Sequence, residues 1–247
     1  IMAHNNKKMQ DKLLITKSTS PEEITKIITK LREQKGKEKE VLKVIDEALS
    51  FGHEFVVNLF FEEALTHQHL YMVDSSNKKA ITDMEKATLK ADFYITKFKA
   101  LRWRSRLYRF LGRVADLKGQ YKKAIIMYKK AIKFVKSDPE PFRIFELEAF
   151  LSFSTIMAGD YTKGYKMAKT TCYKFITSSI GKLLKKKDYT TWGIWMSGIT
   201  IRTVSALIDK KLNYNYEEIK DWILDTQKYL NVKDKFSYRK MEVKEVW

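Results

Sequence analysis

Leu111-Gly112-Arg113-Val114-Ala115-Asp116-Leu117-Lys118-Gly119-Gln120-Tyr121-Lys122-Lys123-Ala124-Ile125-Ile126-Met127-Tyr128-Lys129-Lys130-Ala131 is the stretch from which the fold of this 247-residue chain is read. Its pattern is that of a helical hairpin. Gly112 and Ala115 are small, so two helices can approach closely there. Gly119 suits a helix C-terminus, where the chain must adopt a left-handed conformation to turn. Ala124, Tyr128 and Ala131 then fall on one stripe of a returning helix that packs back on the first. Leucine at Ala124 should overpack that contact.

The half-pattern of a turn residue followed by a small and apolar stripe recurs along the chain. Gly36, Val41, Ile45 and Ala48 form one copy, and Ser75, Ala80, Met84 and Ala87 another. Gly159, Tyr161, Gly164, Ala168 and Thr171 form a fourth, while Tyr216, Ile219 and Ile223 hint at a fifth. A hairpin cannot bury its apolar face alone, so consecutive copies must stack. The 111–131 segment, with Pro139 downstream, resembles the tetratricopeptide repeat and matches nearly every signature position of that family. It departs at Tyr108, where tryptophan is usual, at Ala115, where an aromatic is usual, and in a proline three residues late. Turn positions 36, 75, 119 and 159 are offset by 39, 44 and 40 residues. The standard repeat is about 34 residues, so these helices are longer by a turn or two. The resemblance implies a right-handed α-solenoid of antiparallel hairpins, and with it a non-catalytic scaffold or adaptor holding a partner in its concave groove.

Helices are predicted at 21–34, 38–50, 53–73, 77–91, 95–118, 121–136, 140–158, 161–179, 188–211 and 215–230, forming five hairpins. Ser20-Pro21-Glu22-Glu23 opens the first with a cap, an N-terminal proline and an acid three residues on. Residues 1–19 read as a flexible N-terminal segment, 20–230 as the repeat domain and 231–247 as a tail that either docks through Trp247 or stays loose. Three prolines and nine glycines are too few for a protein built on tight β-turns, so the fold class is all-α.

The lone Cys172 excludes an intrachain disulfide and a cysteine-rich metal site, and its place on a packing helix marks it as inert rather than nucleophilic. No apolar run reaches the roughly 18 residues a membrane span needs. No signal-peptide h-region opens the chain, and a cytoplasmic location is expected. No phosphate loop, zinc-protease motif or nucleophile elbow appears, so neither enzyme activity nor a cofactor is expected. His67 and Glu63 are an i,i+4 pair, but His69 points off that face and no second cluster completes a metal site.

Charge is where the sequence says most about partners. The formal net charge is +18, and residues 94–136 hold 14 Lys/Arg against Asp116 alone. Residues 162–187 add eight lysines and no acid, whereas residues 38–92 carry 11 acids against six lysines. Arg102, Arg106, Arg109 and Arg113 recur at spacings of four, three and four, on one face of a front helix. The arginine fork suits carboxylate or phosphate. These four are the candidate partner-binding residues, and as long exposed side chains they should be removable without loss of fold. Ion pairing with Glu146 or Glu148 of the next helix is the competing explanation.

By the register of the resembling family, Arg106, Arg109 and Arg113 line the groove. The family's clamp for a peptide C-terminal carboxylate uses lysine and asparagine at set groove positions of successive repeats. The matching positions here hold Arg109 and Arg113, and the next repeat offers Ala149, Phe150 and Phe153, so that clamp is matched only in part. The implied partner is therefore a protein or peptide with both acidic and apolar residues. Lys122, Lys123, Lys129 and Lys130 on the returning helix form a second candidate surface, extended by Lys133, Lys136, Lys163, Lys166, Lys169 and Lys174. It would contact RNA, DNA or an anionic membrane surface, or simply keep the protein in solution. Trp103, Tyr108, Phe110, Tyr121 and Tyr128 interleave with this charge, but sit where repeats pack. Trp192, Gly193, Trp195, Met196 and Gly198 read as close helix packing.

Overall fold

The computed structural model describes residues 15–50 and 56–211, together with Glu217, Lys220 and Leu224. The described residues form ten α-helices and no strand: α1 Pro21–Arg32, α2 Glu38–Ser50, α3 Val56–Val73, α4 Lys78–Lys97 and α5 Arg104–Leu117, then α6 Tyr121–Phe134, α7 Ile144–Met157, α8 Tyr161–Thr177, α9 Ser179–Lys187 and α10 Tyr189–Asp209. Helices α1 to α9 pack mainly on their neighbours in sequence, most extensively as the pairs α3/α4, α5/α6 and α7/α8, whereas α10 packs chiefly on α7. The expected helix at 215–230, the fifth copy at Tyr216, Ile219 and Ile223, and the tail at 231–247 lie outside the described residues.

Local chemistry explains the boundaries. Ser20 accepts the Glu23 N–H while Glu23 accepts the Ser20 N–H, closing a capping box over Pro21. Gly119 and Gly159 have φ of 71° and 102°, and each closes its helix with a Schellman pair. The Gln120 N–H reaches Ala115 O at 2.8 Å and the Gly119 N–H reaches Asp116 O at 2.9 Å. Lys99 makes the same turn with φ 51°, a conformation that a side chain disfavours. This turn moves the α4/α5 junction to residues 98–103, later than the sequence suggests. α4 runs on to Lys97, and a short 3-10 turn at Leu101–Trp103 precedes α5. The other revision is α9. Ser178 ends α8 and its Oγ accepts the Gly181 N–H at 2.9 Å, so a new helix starts where a linker was expected.

The core is a string of clusters, each joining one hairpin to the front helix of the next. Phe60, Phe61, Met84, Ala87, Leu107 and Phe110 unite α3, α4 and α5. Ala115, Ala124, Tyr128, Ala131, Leu147 and Phe150 unite α5, α6 and α7. Ala124 and Ala131 are fully buried at this seam, as the stripe predicts. The Tyr128 ring lies on Gly112, where an added Cβ would come within 2.6 Å of it, and stacks on Phe150 at 5.3 Å. Cys172, Phe175, Trp192 and Met196 form a further cluster, which places the tryptophan-rich segment in helix packing. Ile15, inside the segment expected to be flexible, is buried against Ile24, Ile28 and Val41.

Candidate functional site

A cleft of about 390 Å³ is lined by α1, α3, α5, α7 and α10, with the end of α9 and the turn before α7. None of its described lining comes from α2, α4, α6 or α8. The front helices thus share one surface, and the first and last of them meet the same cleft. A second hollow of about 400 Å³ adjoins it, sharing Thr25, Arg106 and Glu140.

The arginine row divides along its length. Arg106 lies between the two clefts, donating to Asn58 Oδ1 at 2.5 Å and lying 3.6 Å from Glu140. Arg109 donates to Glu146 Oε1 at 2.7 Å, and its guanidinium stacks over Phe110 and Phe150. Arg113 turns toward Asp116 at 3.9 Å and over Phe150, away from the cleft lining. Arg102 is exposed and stacks on Trp103. The four do not form an exposed row. Arg109 is only 6% exposed, which overturns the expectation that these side chains can be removed without loss of fold.

The acids that neutralise Arg106 and Arg109 come from α3, α7 and the turn before α7, and more arginines come with them. Arg32 of α1 pairs with Glu62 of α3, both nearly sealed from solvent. Arg143 pairs with Glu140 and lies 3.6 Å from Glu146. Five arginines (Arg32, Arg106, Arg109, Arg143 and Arg202) face five acids (Glu33, Glu62, Glu140, Glu146 and Asp188) around the cleft. Burial by itself raises the Glu146 carboxyl, but Arg109 and Arg143 outweigh it and hold it at about 2. Burial likewise acts against the charged Glu62, yet Arg32 and Arg106 keep it below the usual carboxylate range. Burial and the neighbouring Arg143 bring Arg106 down to about 10, still protonated at neutral pH.

Beneath this layer Asp116 accepts hydrogen bonds from Tyr128 Oη at 2.6 Å and Ser154 Oγ at 2.7 Å, tying α5 to α6 and α7. Burial pushes its carboxyl above the ordinary value despite Arg113. Asp116 is therefore a structural tie rather than a counter-charge for the whole row. Its place after Ala115 and one turn before Gln120 gave no hint of that.

The lysines behave otherwise. Lys122, Lys123, Lys129 and Lys130 are exposed on α6, and no ion pair engages them among the described residues. Lys130 lies over the Tyr108 ring, which stacks on Phe134. The His67 ring lies 4.0 Å from Glu63, while the His69 ring bonds the Arg32 carbonyl at 3.2 Å. No group of three metal-ligating side chains comes together among the described residues, and no described helix is long and apolar enough to cross a membrane. No family model matches the chain, and no curated protein or solved structure matches it.

Proposed function

We propose that this chain is a right-handed, tetratricopeptide-like solenoid acting as a non-catalytic scaffold, with a partner segment held in the front-helix cleft. The observation that carries this reading is the shared lining: five successive front helices contribute to one surface, and the returning helices contribute none of it. The cleft offers both chemistries such a segment would need. Phe61, Leu65, Phe142 and Trp195 supply apolar wall, and the paired arginines supply forked donors for a carboxylate. Its acids also offer acceptors, so the partner is a short mixed polar and apolar segment rather than a purely acidic one. A volume near 390 Å³ takes a few side chains at a time.

Thr29 is an exposed cleft residue in no ion pair, so Thr29→Trp fills the mouth without stripping a buried charge. Capture of a partner from nuclease-treated cell extract should be lost with Thr29→Trp and retained with Lys129→Ala. Unchanged capture by Thr29→Trp would sink the groove reading. A second reading, polyanion binding on α6, is favoured by the unpaired lysines there. It requires instead that capture disappears on nuclease treatment and falls steeply with salt.

A further inference from the structure

The corner joining α4 to α5 carries four large apolar side chains in solvent. Leu89 is 54% exposed, Phe93 61%, Phe98 51% and Leu101 54%. Leu89 and Phe93 lie one turn apart on α4. Phe98 ends that helix, its N–H bonded to Tyr94 O at 2.9 Å, and Lys99 then reverses the chain so that Leu101 follows at the tip. The aromatic part is contiguous. Phe93 meets Tyr94 edge-on at 5.2 Å and Tyr94 meets Phe98 at 5.6 Å, while Lys97 Nζ lies within 6.0 Å of all three ring centres. None of the four exposed residues lines either cleft.

Charge and shape select the occupant. Residues 86–104 hold Lys86, Lys90, Lys97, Lys99, Arg102 and Arg104 against Asp92 alone. Lys86 and Lys90 are turned to Asp83 and Glu63, but no carboxylate engages Lys97, Lys99 or Arg102 among the described residues. The same corner of a second copy would bring like charges together. Nucleic-acid bases need open ring faces, yet Leu89 and Leu101 have none and Lys97 already covers the aromatic ones. Neither of the two clefts, where a peptide could lie, reaches this corner. Exposed apolar side chains with cations beside them match the boundary of a bilayer, where acyl chains lie beneath anionic headgroups. We infer that this corner inserts Leu89, Phe93, Phe98 and Leu101 into the interface of an anionic lipid membrane, with Lys97, Lys99 and Arg102 on its headgroups.

The test is sedimentation of the full chain with vesicles of about 70% phosphatidylcholine and about 30% phosphatidylserine, beside phosphatidylcholine alone. Binding is expected to the mixed vesicles and not to the neutral ones. Phe93→Ser with Phe98→Ser should weaken it about tenfold or more while lowering the melting temperature only slightly, because both side chains are more than half exposed. Lys97→Gln with Arg102→Gln should weaken it too and reduce its salt dependence. Absence of binding to the mixed vesicles overturns the inference. So does binding that the paired serine variant leaves intact, which would move the contact to the lysines of α6. A serine variant that instead loses a protein partner or RNA, with vesicles never bound, overturns it as well.

Discussion

Arg106, Arg109 and Arg113 on α5 and Lys122, Lys123, Lys129 and Lys130 on α6 are two cationic rows at helical spacing, one on each arm of the same hairpin. In the first, neighbouring front helices bring Glu62, Glu140 and Glu146 up to the guanidinium groups, and the charges sink into a paired layer. In the second, the helix faces solvent and the ammonium groups keep their water. Spacing says that cations share a face, and only the next helix says whether that face is neutralised. Residue type follows the environment. A planar fork tolerates burial between carboxylates and aromatic rings, whereas a lysine stem can cover apolar surface and leave its charge wet.

The largest expected effect separates the rows by stability. Arg109→Ala leaves Glu146 to the more distant Arg143 and Arg202 and strips the cover from Phe110 and Phe150. Removing one partner of a buried pair costs about 3–5 kcal/mol, and Arg143 places this case near the lower figure. Lys129→Ala should change stability by about 0.5 kcal/mol or less. Urea unfolding of the two variants measures the contrast, and equal losses would break it.

The same pair should announce itself in pH dependence. Glu146 is held at about 2 against an ordinary 4.5, so its contribution is present above about pH 4.5 and is lost as pH falls toward 2. That depression corresponds to about 3 kcal/mol, the same interaction seen from the other partner and not additional to it. Glu146→Gln should therefore be less stable than the parent chain at pH 7, and the gap should shrink across that acid window. A gap that stays constant would mean Glu146 is not the partner of Arg109.

The seam between the rows is the next target. Ala124 touches α5 with no exposed surface, and leucine there should push α6 off its partner at about 1–3 kcal/mol. An unchanged melting temperature would show that the two rows are not held on opposite arms by this contact.

Features encoded within one turn or one hairpin were legible from sequence. The capping box at Ser20, the turns at Gly119 and Gly159, and the Ala124–Tyr128–Ala131 stripe each depend on residues a few places apart. The α4/α5 boundary was not, because Lys99 adopts a left-handed turn that no residue preference announces. Nor was α9, whose cap doubles as the end of α8. The cleft was half legible. Arg106 and Arg109 were found, and Glu146 was named as a possible partner. Arg32 and Glu62 were not, since a pair spanning 30 residues leaves no periodic trace, nor was Arg143, which lies on a 3-10 turn outside the helical stripes. The exposed corner of Leu89, Phe93, Phe98 and Leu101 was hidden for a related reason. Apolar residues at helical spacing read as core unless one knows which helix face the neighbours leave uncovered.

The smallest stability effect carries the sharpest functional contrast. Replacing Lys122, Lys123, Lys129 and Lys130 with glutamine removes four exposed charges that have no ion-pair partner among the described residues, so unfolding should shift by about 0.5 kcal/mol or less in all. Binding to a single-stranded RNA homopolymer reports whether those charges do more than solvate the protein. If they contact phosphates, the plot of log affinity against log salt should flatten by about 0.7 for each lysine engaged. Arg109→Lys keeps charge in the cleft and should leave that slope alone. A parent chain that ignores the polymer, or a slope insensitive to the four glutamines, would leave α6 as a solvated face and the front-helix cleft as the remaining macromolecular site of this hairpin.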